Sequence, residues 1–291
     1  MYNRPSKPQP GRKRPFVKTA PQRHVPPVPE SPKPQYSHDD FLPAKYPHVT
    51  FPEAEWAQFC AQCEELQIPA PEEHRTTLEA LYSHLLGVNA WLNLTRITAP
   101  GEYLKFQLLD SLSVLPVIAP MLEEHSTVSD LGAGGGYPGL PLMTWLTTQD
   151  FCLVDAKHKK VEFLNASIPL IPRQGKAGAY ACRGREIAQL RPDLEHRSAI
   201  VTARAVGRGA QLLEDASALL AVGGVFVLLK GPSWPETEAE EFERVCPCFG
   251  FQQVDDVVLR LTPDDPDHHI ILAVKQERLD PRKMRKARFS A

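Results

Sequence analysis

The chain has 291 residues, of which 42% are hydrophobic and 23% are charged, and its formal net charge is −2 at pH 7. This length suits one catalytic domain with an extension, and the apolar content is ample for a sizeable core. No apolar run approaches the roughly 20 residues of a membrane-spanning helix and no signal-peptide core is evident, so we expect a cytoplasmic protein with no membrane partner.

Both ends of the chain are basic. Residues 1–50 are proline-rich and poor in aliphatic residues, which predicts a disordered arm, and lysines and arginines crowd its start before the first acid, Glu30. Residues 278–291 form a second basic segment. Basic ends on a near-neutral body suggest a polyanion partner such as RNA. Deleting residues 1–50 is expected to leave the melting temperature nearly unchanged and to flatten the salt dependence of RNA binding.

Apolar residues recur at helical spacing from about residue 51 to residue 116, which predicts a small helical cap over residues 51–119. The residues that carry this pattern are Trp56, Phe59, Cys63, Leu66, Leu78, Leu81, Tyr82, Leu85, Leu86, Leu104, Leu108, Leu109 and Leu112. Cys60 and Cys63 fall in the first of these helices, where their spacing indicates core packing. The six cysteines have neither the context of a secreted disulfide set nor two well-spaced zinc-ligand pairs, so no metal is expected.

From residue 126 onward, predicted strands and helices alternate. The strands are predicted at 126–131, 151–155, 177–182, 198–203, 224–230, 254–261 and 269–275, and the helices at 139–148, 157–168, 208–221 and 236–246. This alternation predicts an α/β domain over residues 120–277, with a mostly parallel seven-stranded sheet. The last two strands are joined by a short polar segment without a helix, so we expect a terminal antiparallel hairpin.

A glycine-dense turn follows the first predicted strand and leads into a helix. This glycine turn, residues 132–139, can take positive φ and let a ligand approach the bare backbone, which predicts a nucleotide-like cofactor. Gly134, Gly136 and Gly139 fit G-x-G-x-x-G, the dinucleotide-binding pattern. Gly132, Gly134 and Gly136 also fit G-x-G-x-G behind an acid, a pattern typical of enzymes that use S-adenosylmethionine (AdoMet).

Asp155 ends the second predicted strand, about 20 residues beyond the glycines, where an acid can accept both hydroxyls of a ribose. NAD and AdoMet both carry such a ribose, so this residue does not separate them. An alternative role is to cap the helix that begins near Lys157. The terminal hairpin favours AdoMet, because dehydrogenase sheets usually end otherwise.

An ordered set of short motifs resembles one known family. The motifs are Asn93-Leu94-Thr95, Leu109-Asp110-Ser111, the glycine turn with the Leu140-Pro141-Leu142 that follows it, Ala203-Arg204-Ala205 and Leu229-Lys230-Gly231. Together they resemble the bacterial small-subunit ribosomal RNA guanine-N7 methyltransferases, also called glucose-inhibited division protein B, over about residues 51–275. The resemblance implies a Rossmann-like class I AdoMet methyltransferase fold with an N-terminal helical cap. It also implies AdoMet as the cofactor, 16S rRNA or the small ribosomal subunit as partner, and methyl transfer to N7 of a guanine.

The resemblance also implies roles for individual residues. Gly132 and Tyr137 match the family's cofactor contacts in the turn, and Gly184 and Arg185 match the pair beside the adenine. Arg204 matches the arginine at the active-site mouth, and Arg183 and Lys230 match other basic residues there. The predicted cofactor-binding residues are therefore Gly132, Gly134, Tyr137, Asp155, Gly184, Arg185 and Arg204, and the predicted catalytic residues are Arg204 and Lys230.

These residue types suit N7 chemistry. The N7 lone pair of guanine needs no general base, so an Asp/His/Cys catalytic constellation would be superfluous, and none is evident. Arg204 can bond to the O6 side of guanine or hold a phosphate. Its alternative role is an ion pair with a nearby acid.

Two positions depart from the family pattern. Phe106-Gln107 stands where the family usually has Arg-His, and His268-His269 stands where it usually has another Arg-His pair. Both changes are expected to remove positive charge from the RNA side. They leave open an RNA-binding protein that retains the methyltransferase fold, beside the weaker alternative of an NAD(P)-dependent oxidoreductase.

Overall fold

The computed structural model describes residues 36–278, apart from the side chains of residues 253 and 254. Seven strands form one sheet in the order β3-β2-β1-β4-β5-β7-β6. The strands are β1 Thr127–Leu131, β2 Asp150–Asp155, β3 Ala177–Ala181, β4 Ser198–Arg204, β5 Leu220–Lys230, β6 Phe251–Leu259 and β7 His268–Lys275. Strands β1 to β5 are parallel, whereas β7 is antiparallel to both β5 and β6. The predicted α/β fold and its terminal hairpin are confirmed.

Helices cover both faces of the sheet. The longer ones are α1 Glu53–Glu65, α2 Pro71–Leu92, α3 Pro100–Met121, α4 Gly139–Trp145, α5 His158–Ser167, α6 Gly209–Leu219 and α7 Ala239–Val245. Because alternate strand residues point to opposite faces, the apolar residues divide into two cores. Val128 and Leu153 face the helices near the N-terminus, whereas Cys152 and Val201 face α6 and α7. The helical cap thus packs on one face of the sheet.

Helix α3 differs from the expectation that no segment approaches the length of a membrane helix. By length and composition it could cross a membrane, but 56% of its most apolar stretch is buried inside the protein. Leu104, Leu108 and Leu112 are almost fully buried and belong to the core. A helix whose apolar side chains pack into a protein core can have the same length and apolar composition as a membrane span.

The last part of the predicted disordered arm is ordered in the structure. Residues His38–Phe41 and Pro43–Lys45 form short 3-10 turns. The Phe41 side chain is 1% exposed, its ring centroid lies 5.0 Å from that of Trp91, and its carbonyl accepts a hydrogen bond from Nε2 of His84 at 2.7 Å. The arm boundary predicted at residue 50 is therefore wrong, and deleting residues 1–50 is now expected to lower the melting temperature. Residues 1–35 and 279–291, with the rest of both basic segments, lie outside the described residues.

Replacing Phe41 by alanine tests this boundary. The substitution should lower the free energy of unfolding by about 3–5 kcal/mol, because it leaves a cavity against Trp91 and His84. Urea denaturation measures the change. Leu42→Ala is the matched control, since Leu42 is 42% exposed and its loss should cost little. Equal, small losses in the two variants would contradict a packed role for this segment.

Candidate functional site

The glycine turn follows β1 and lies at the edge where the parallel strands end, the usual place for ligands in α/β sheets. Gly132, Gly134 and Gly136 have φ angles of +73°, +57° and +97°. A Cβ atom on Gly132 would approach the Val206 side chain to 2.4 Å, so only glycine fits there. A Cβ atom on Gly134 would make only ordinary contacts, 3.5 Å from Nζ of Lys160 and 3.6 Å from the carbonyl oxygen of Gly132, so no neighbour crowds the backbone on this side.

Asp130, the acid of the AdoMet-type pattern, is fully buried below the turn. Its carboxylate accepts hydrogen bonds from the N–H of Gly139 at 2.9 Å and from the hydroxyl of Thr202 at 3.1 Å. Burial raises the pKa of Asp130 to about 7, against the opposing effect of these bonds. The residue fixes the start of α4 to β1 and β4, and it thereby holds the shape of the turn.

Asp155 lies beside the glycine turn, as predicted from its position at the end of β2. One carboxylate oxygen accepts the N–H of Gly134 at 3.0 Å, and the other accepts the N–H of Lys157 at 2.8 Å. The bond to Lys157 orders the chain just before α5, close to the capping role considered above. The ribose role remains a prediction, and the second lone pair of each oxygen could serve it.

Gly184 and Arg185 follow β3 in a single 3-10 turn, Gly184–Glu186, and pack against α6. A Cβ atom on Gly184 would lie 2.5 Å from the carbonyl oxygen of Asp215, so the close approach requires glycine. The N–H of Arg185 donates to Asp215 at 3.0 Å, and its guanidinium lies 3.4 Å from Glu214. Their proposed contact with adenine stays a prediction.

Tyr137 connects the glycine turn to Arg204. Its ring is almost buried, and its hydroxyl donates to the hydroxyl oxygen of Tyr103 in α3 at 2.9 Å. The guanidinium of Arg204 lies over the Tyr137 ring, 5.5 Å from the ring centroid. The side chain that matches a cofactor contact therefore also supports the predicted catalytic arginine.

Arg204 ends β4, and three groups accept hydrogen bonds from its guanidinium. We name the residues of these groups, together with Arg204 and His268, the Arg204 cluster. The guanidinium donates to Asp110 at 2.6 Å, to the carbonyl of Phe106 at 2.7 Å and to the side-chain oxygen of Gln107. The other oxygen of Asp110 lies 3.1 Å from Nδ1 of His268. These bonds to described residues occupy three of the five N–H groups of the guanidinium. The ion pair considered for Arg204 therefore exists, and it lies within the site.

The two departures from the family pattern meet in this cluster. Gln107 is 4% exposed, bonds Arg204 and donates to the hydroxyl of Thr95 at 2.9 Å. The expectation that this position faces RNA is therefore wrong for Gln107, whereas Phe106 is 39% exposed beside it. Sequence reasoning missed the convergence, because Asp110 and His268 are 158 positions apart and no local pattern links them.

Asp110 is a mostly buried carboxylate between two donors. Burial alone would raise the pKa of Asp110, but the hydrogen bond from His268 and the positive charge of Arg204 together hold it below its usual value. The group is therefore an anion at neutral pH, and it acts only as a hydrogen-bond acceptor.

Lys230, at the end of β5, has an acidic partner of its own. Its ammonium donates to the two carboxylate oxygens of Glu238 at 2.9 and 2.8 Å and to the carbonyl of Gly207 at 2.7 Å. The charge lies 5.7 Å from the centroid of the Trp234 ring. The structure thus brings Lys230 to the same sheet edge as Arg204, and its catalytic role stays a prediction.

A cavity of about 300 Å³ opens at this edge between α3, β4, β5 and β7. It is lined by Phe106, Asp110, Arg204, Ala205, Leu229, Lys230, Gly231 and His268. The lining combines two cations, one carboxylate, an imidazole and an exposed aromatic ring. In the part of the chain that the structure describes, no group of three or more His, Cys, Asp or Glu side chains is placed to hold a metal ion.

Comparison with known proteins gives one consistent family. A family model described as GidB, rRNA small subunit methyltransferase G, matches residues 74–262. The ribosomal RNA small subunit methyltransferase G of Myxococcus xanthus is 38% identical over 185 residues, which cover 63% of this chain and 80% of that protein. The protein of the same name from Synechococcus elongatus is 34% identical over 211 residues, covering 71% of this chain and 84% of its own.

Among solved structures, M. jannaschii TYW2 in complex with AdoMet aligns with a TM-score of 0.41 at 17% identity. The alignment covers 57% of this chain and 76% of that chain. At that identity and score, the likeness does not bear on function.

Proposed function

Since the chain belongs to the GidB family, rRNA small subunit methyltransferase G, we propose that it transfers a methyl group from AdoMet to N7 of a guanine in 16S rRNA. Its substrate is 16S rRNA or the small ribosomal subunit, and it acts in the cytoplasm, where ribosomes assemble. The observation that carries the proposal is the position of the Arg204 cluster. It adjoins the glycine turn through Tyr137 and lines a cavity at the sheet edge where substrates meet cofactors.

AdoMet supplies a methyl group that is already activated by its sulfonium. The residues that would hold it are those of the glycine turn, where no neighbour crowds Gly134, and Asp155, whose carboxylate is anchored to that turn. Gly184 and Arg185 extend this set along the sheet edge. These residues fit the cofactor, because an exposed backbone and an anchored acceptor are what a nucleoside needs.

The remaining task of the chain is to orient the guanine. The N7 lone pair forms the new carbon–nitrogen bond while the sulfur–methyl bond breaks with its electron pair on sulfur, so no proton has to be removed. Holding the two reactants in line can supply several kcal/mol, up to roughly 7–11 in favourable cases. Arg204 is suited to this task because Asp110, Gln107 and the Tyr137 ring fix its guanidinium.

The two alternatives raised by the sequence are not favoured. The oxidoreductase hypothesis conflicts with the family and with the antiparallel β7, which lies between β5 and β6. The hypothesis of an RNA-binding protein rested on the basic ends of the chain and on the two departures from the family pattern. Gln107 and His268 are bonded into the Arg204 cluster, so these changes leave the site assembled.

Asp155→Ala tests the cofactor side of the proposal. We expect AdoMet affinity to fall by roughly 1–3 kcal/mol, because ribose hydroxyls lose an acceptor. Stability should fall as well, since the N–H groups of Gly134 and Lys157 lose theirs. Asp150→Ala on the same strand is the control: its carboxylate accepts the N–H of Lys176 at 2.7 Å, so only stability should change. Calorimetry and melting curves separate the two effects, and unchanged AdoMet affinity in Asp155→Ala would refute the ribose role.

Methyl transfer itself can be measured with tritium-labelled AdoMet. Small subunits from cells that lack the protein should take up label into 16S rRNA, and the labelled nucleoside should be 7-methylguanosine. Binding of AdoMet and of subunits without any uptake of label would favour the RNA-binding alternative.

A further inference from the structure

Four side chains form a row that leads away from the glycine turn. Tyr137 lies in the turn, and the guanidinium of Arg204 is 5.5 Å from its ring centroid. Asp110 follows at 2.6 Å from Arg204, and His268 at 3.1 Å from Asp110. The last three line the cavity described above. Along this row the cavity presents first the N–H donors of Arg204 and then the carboxylate acceptor of Asp110.

The rim of guanine carries matching groups in the same order. N7 and O6 are acceptors, and the N1–H and the 2-amino group that follow are donors. When N7 faces the glycine turn, O6 comes next and meets Arg204, and the two donors come last and meet Asp110. Adenine would present an amino donor to the arginine and an unprotonated N1 to the carboxylate, so both contacts would be mismatched.

The carboxylate of Asp110 can accept two further hydrogen bonds in a fixed orientation. Each of its oxygens is already fixed by one donor, Arg204 on one side and His268 on the other, and each keeps a second lone pair. Its side chain is 15% exposed, on the cavity side. Methylation at N7 gives the purine ring a positive charge, and a fixed anion against the ring stabilises that charge as it develops.

We propose that Asp110 selects guanine by accepting hydrogen bonds from its N1–H and 2-amino group, while Arg204 donates to O6. This assignment rests on the proposed function. A base held in this way has left its stack, because enzymes that act on a base read its Watson–Crick edge in a pocket. Asp110 then determines the specificity for guanine, in addition to holding Arg204 in place.

Inosine tests the proposal, because it differs from guanosine only in lacking the 2-amino group. Small subunits would be reconstituted with RNA that carries inosine at the methylated position. The wild-type protein should methylate inosine with a kcat/KM about 10–100-fold below that for guanosine, as expected for a lost hydrogen bond to a charged group. Asp110→Asn should react more slowly with guanosine, and its preference over inosine should fall close to one. Subunit affinity in the presence of S-adenosylhomocysteine should show the same loss of preference without any reaction.

Asp256→Asn is the matched control. Its carboxylate on β6 lies 3.1 Å from Nδ1 of the neighbouring His269 and does not line the cavity, so both the rate and the preference should stay at the wild-type values. Equal wild-type rates on guanosine and inosine would overturn the proposal, and this holds even where Asp110→Asn fails to fold. A full preference retained by a folded Asp110→Asn would overturn it too and would reduce Asp110 to a support for Arg204. If neither nucleoside is methylated, the proposed function fails, and the affinity ratio alone decides the role of Asp110.

Discussion

Replacing Arg204 by alanine is expected to lower the rate of methyl transfer by at least about a hundredfold, the usual effect of removing a fixed donor from an active site. The substitution removes the donor proposed for O6 and leaves Asp110 with His268 as its remaining partner in the cluster. Gln107 and the Phe106 carbonyl lose their bonds to the guanidinium at the same time. Single-turnover methylation of small subunits with saturating AdoMet measures the change.

Arg191→Ala is the control for general effects of losing an arginine. Arg191 resembles Arg204 in its local contacts, since it pairs with Asp193 at 2.6 Å and lies 5.2 Å from the centroid of the Tyr180 ring. It does not line the cavity, so its loss should leave the rate close to wild type. If Arg204→Ala retains most of its activity, Arg204 has no direct part in methyl transfer.

Gly134→Val is expected to abolish measurable AdoMet binding while the fold is kept. The residue has a φ of +57°, which a β-branched side chain rarely adopts, so some stability is lost. The protein itself leaves room for the side chain, since the nearest atom to a Cβ there is 3.5 Å away. The valine therefore enters the space proposed for the cofactor. Calorimetric titration with AdoMet measures the loss.

Gly223→Val is the control that separates backbone strain at a positive φ from a side chain that fills the cofactor site. Gly223 has a φ of +86° with no atom within 4 Å of a Cβ, and it lies in β5 away from the strand end that carries Lys230. This variant should show a similar cost in stability and full AdoMet affinity. Wild-type AdoMet affinity in Gly134→Val would place the cofactor elsewhere.

Much of the fold could be predicted because its signals are local. The buried run predicted at 151–155 is part of β2, Asp150–Asp155, and the short polar segment after β6 does join an antiparallel pair. The boundary at residue 50 could not be predicted in this way. Phe41 is ordered by Trp91 and His84, which are distant in sequence, and a proline-rich segment gives no local sign of such contacts.

From the sequence, only the site residues that end parallel strands could be placed together. Arg204 and Lys230 meet at one cavity because parallel strands end at the same edge of a sheet. Their acidic partners, Asp110 and Glu238, come from other elements, and the sequence gives no spacing that pairs them. Gln107 looked like a lost RNA contact from sequence and is a buried bond to Arg204 in the structure. The effect of a residue that departs from a family pattern can be judged only when the side chains that contact it are known.

The most direct test of N7 methylation is chemical cleavage of the RNA. 7-Methylguanosine is cationic, and borohydride followed by aniline breaks the chain at that nucleotide. Small-subunit RNA from cells that lack the protein, treated with wild-type protein and AdoMet, should gain one new cleavage site, and Arg204→Ala should give none. Uptake of a methyl group without any new cleavage would show that the methyl is on another atom and would contradict the assignment to guanine N7.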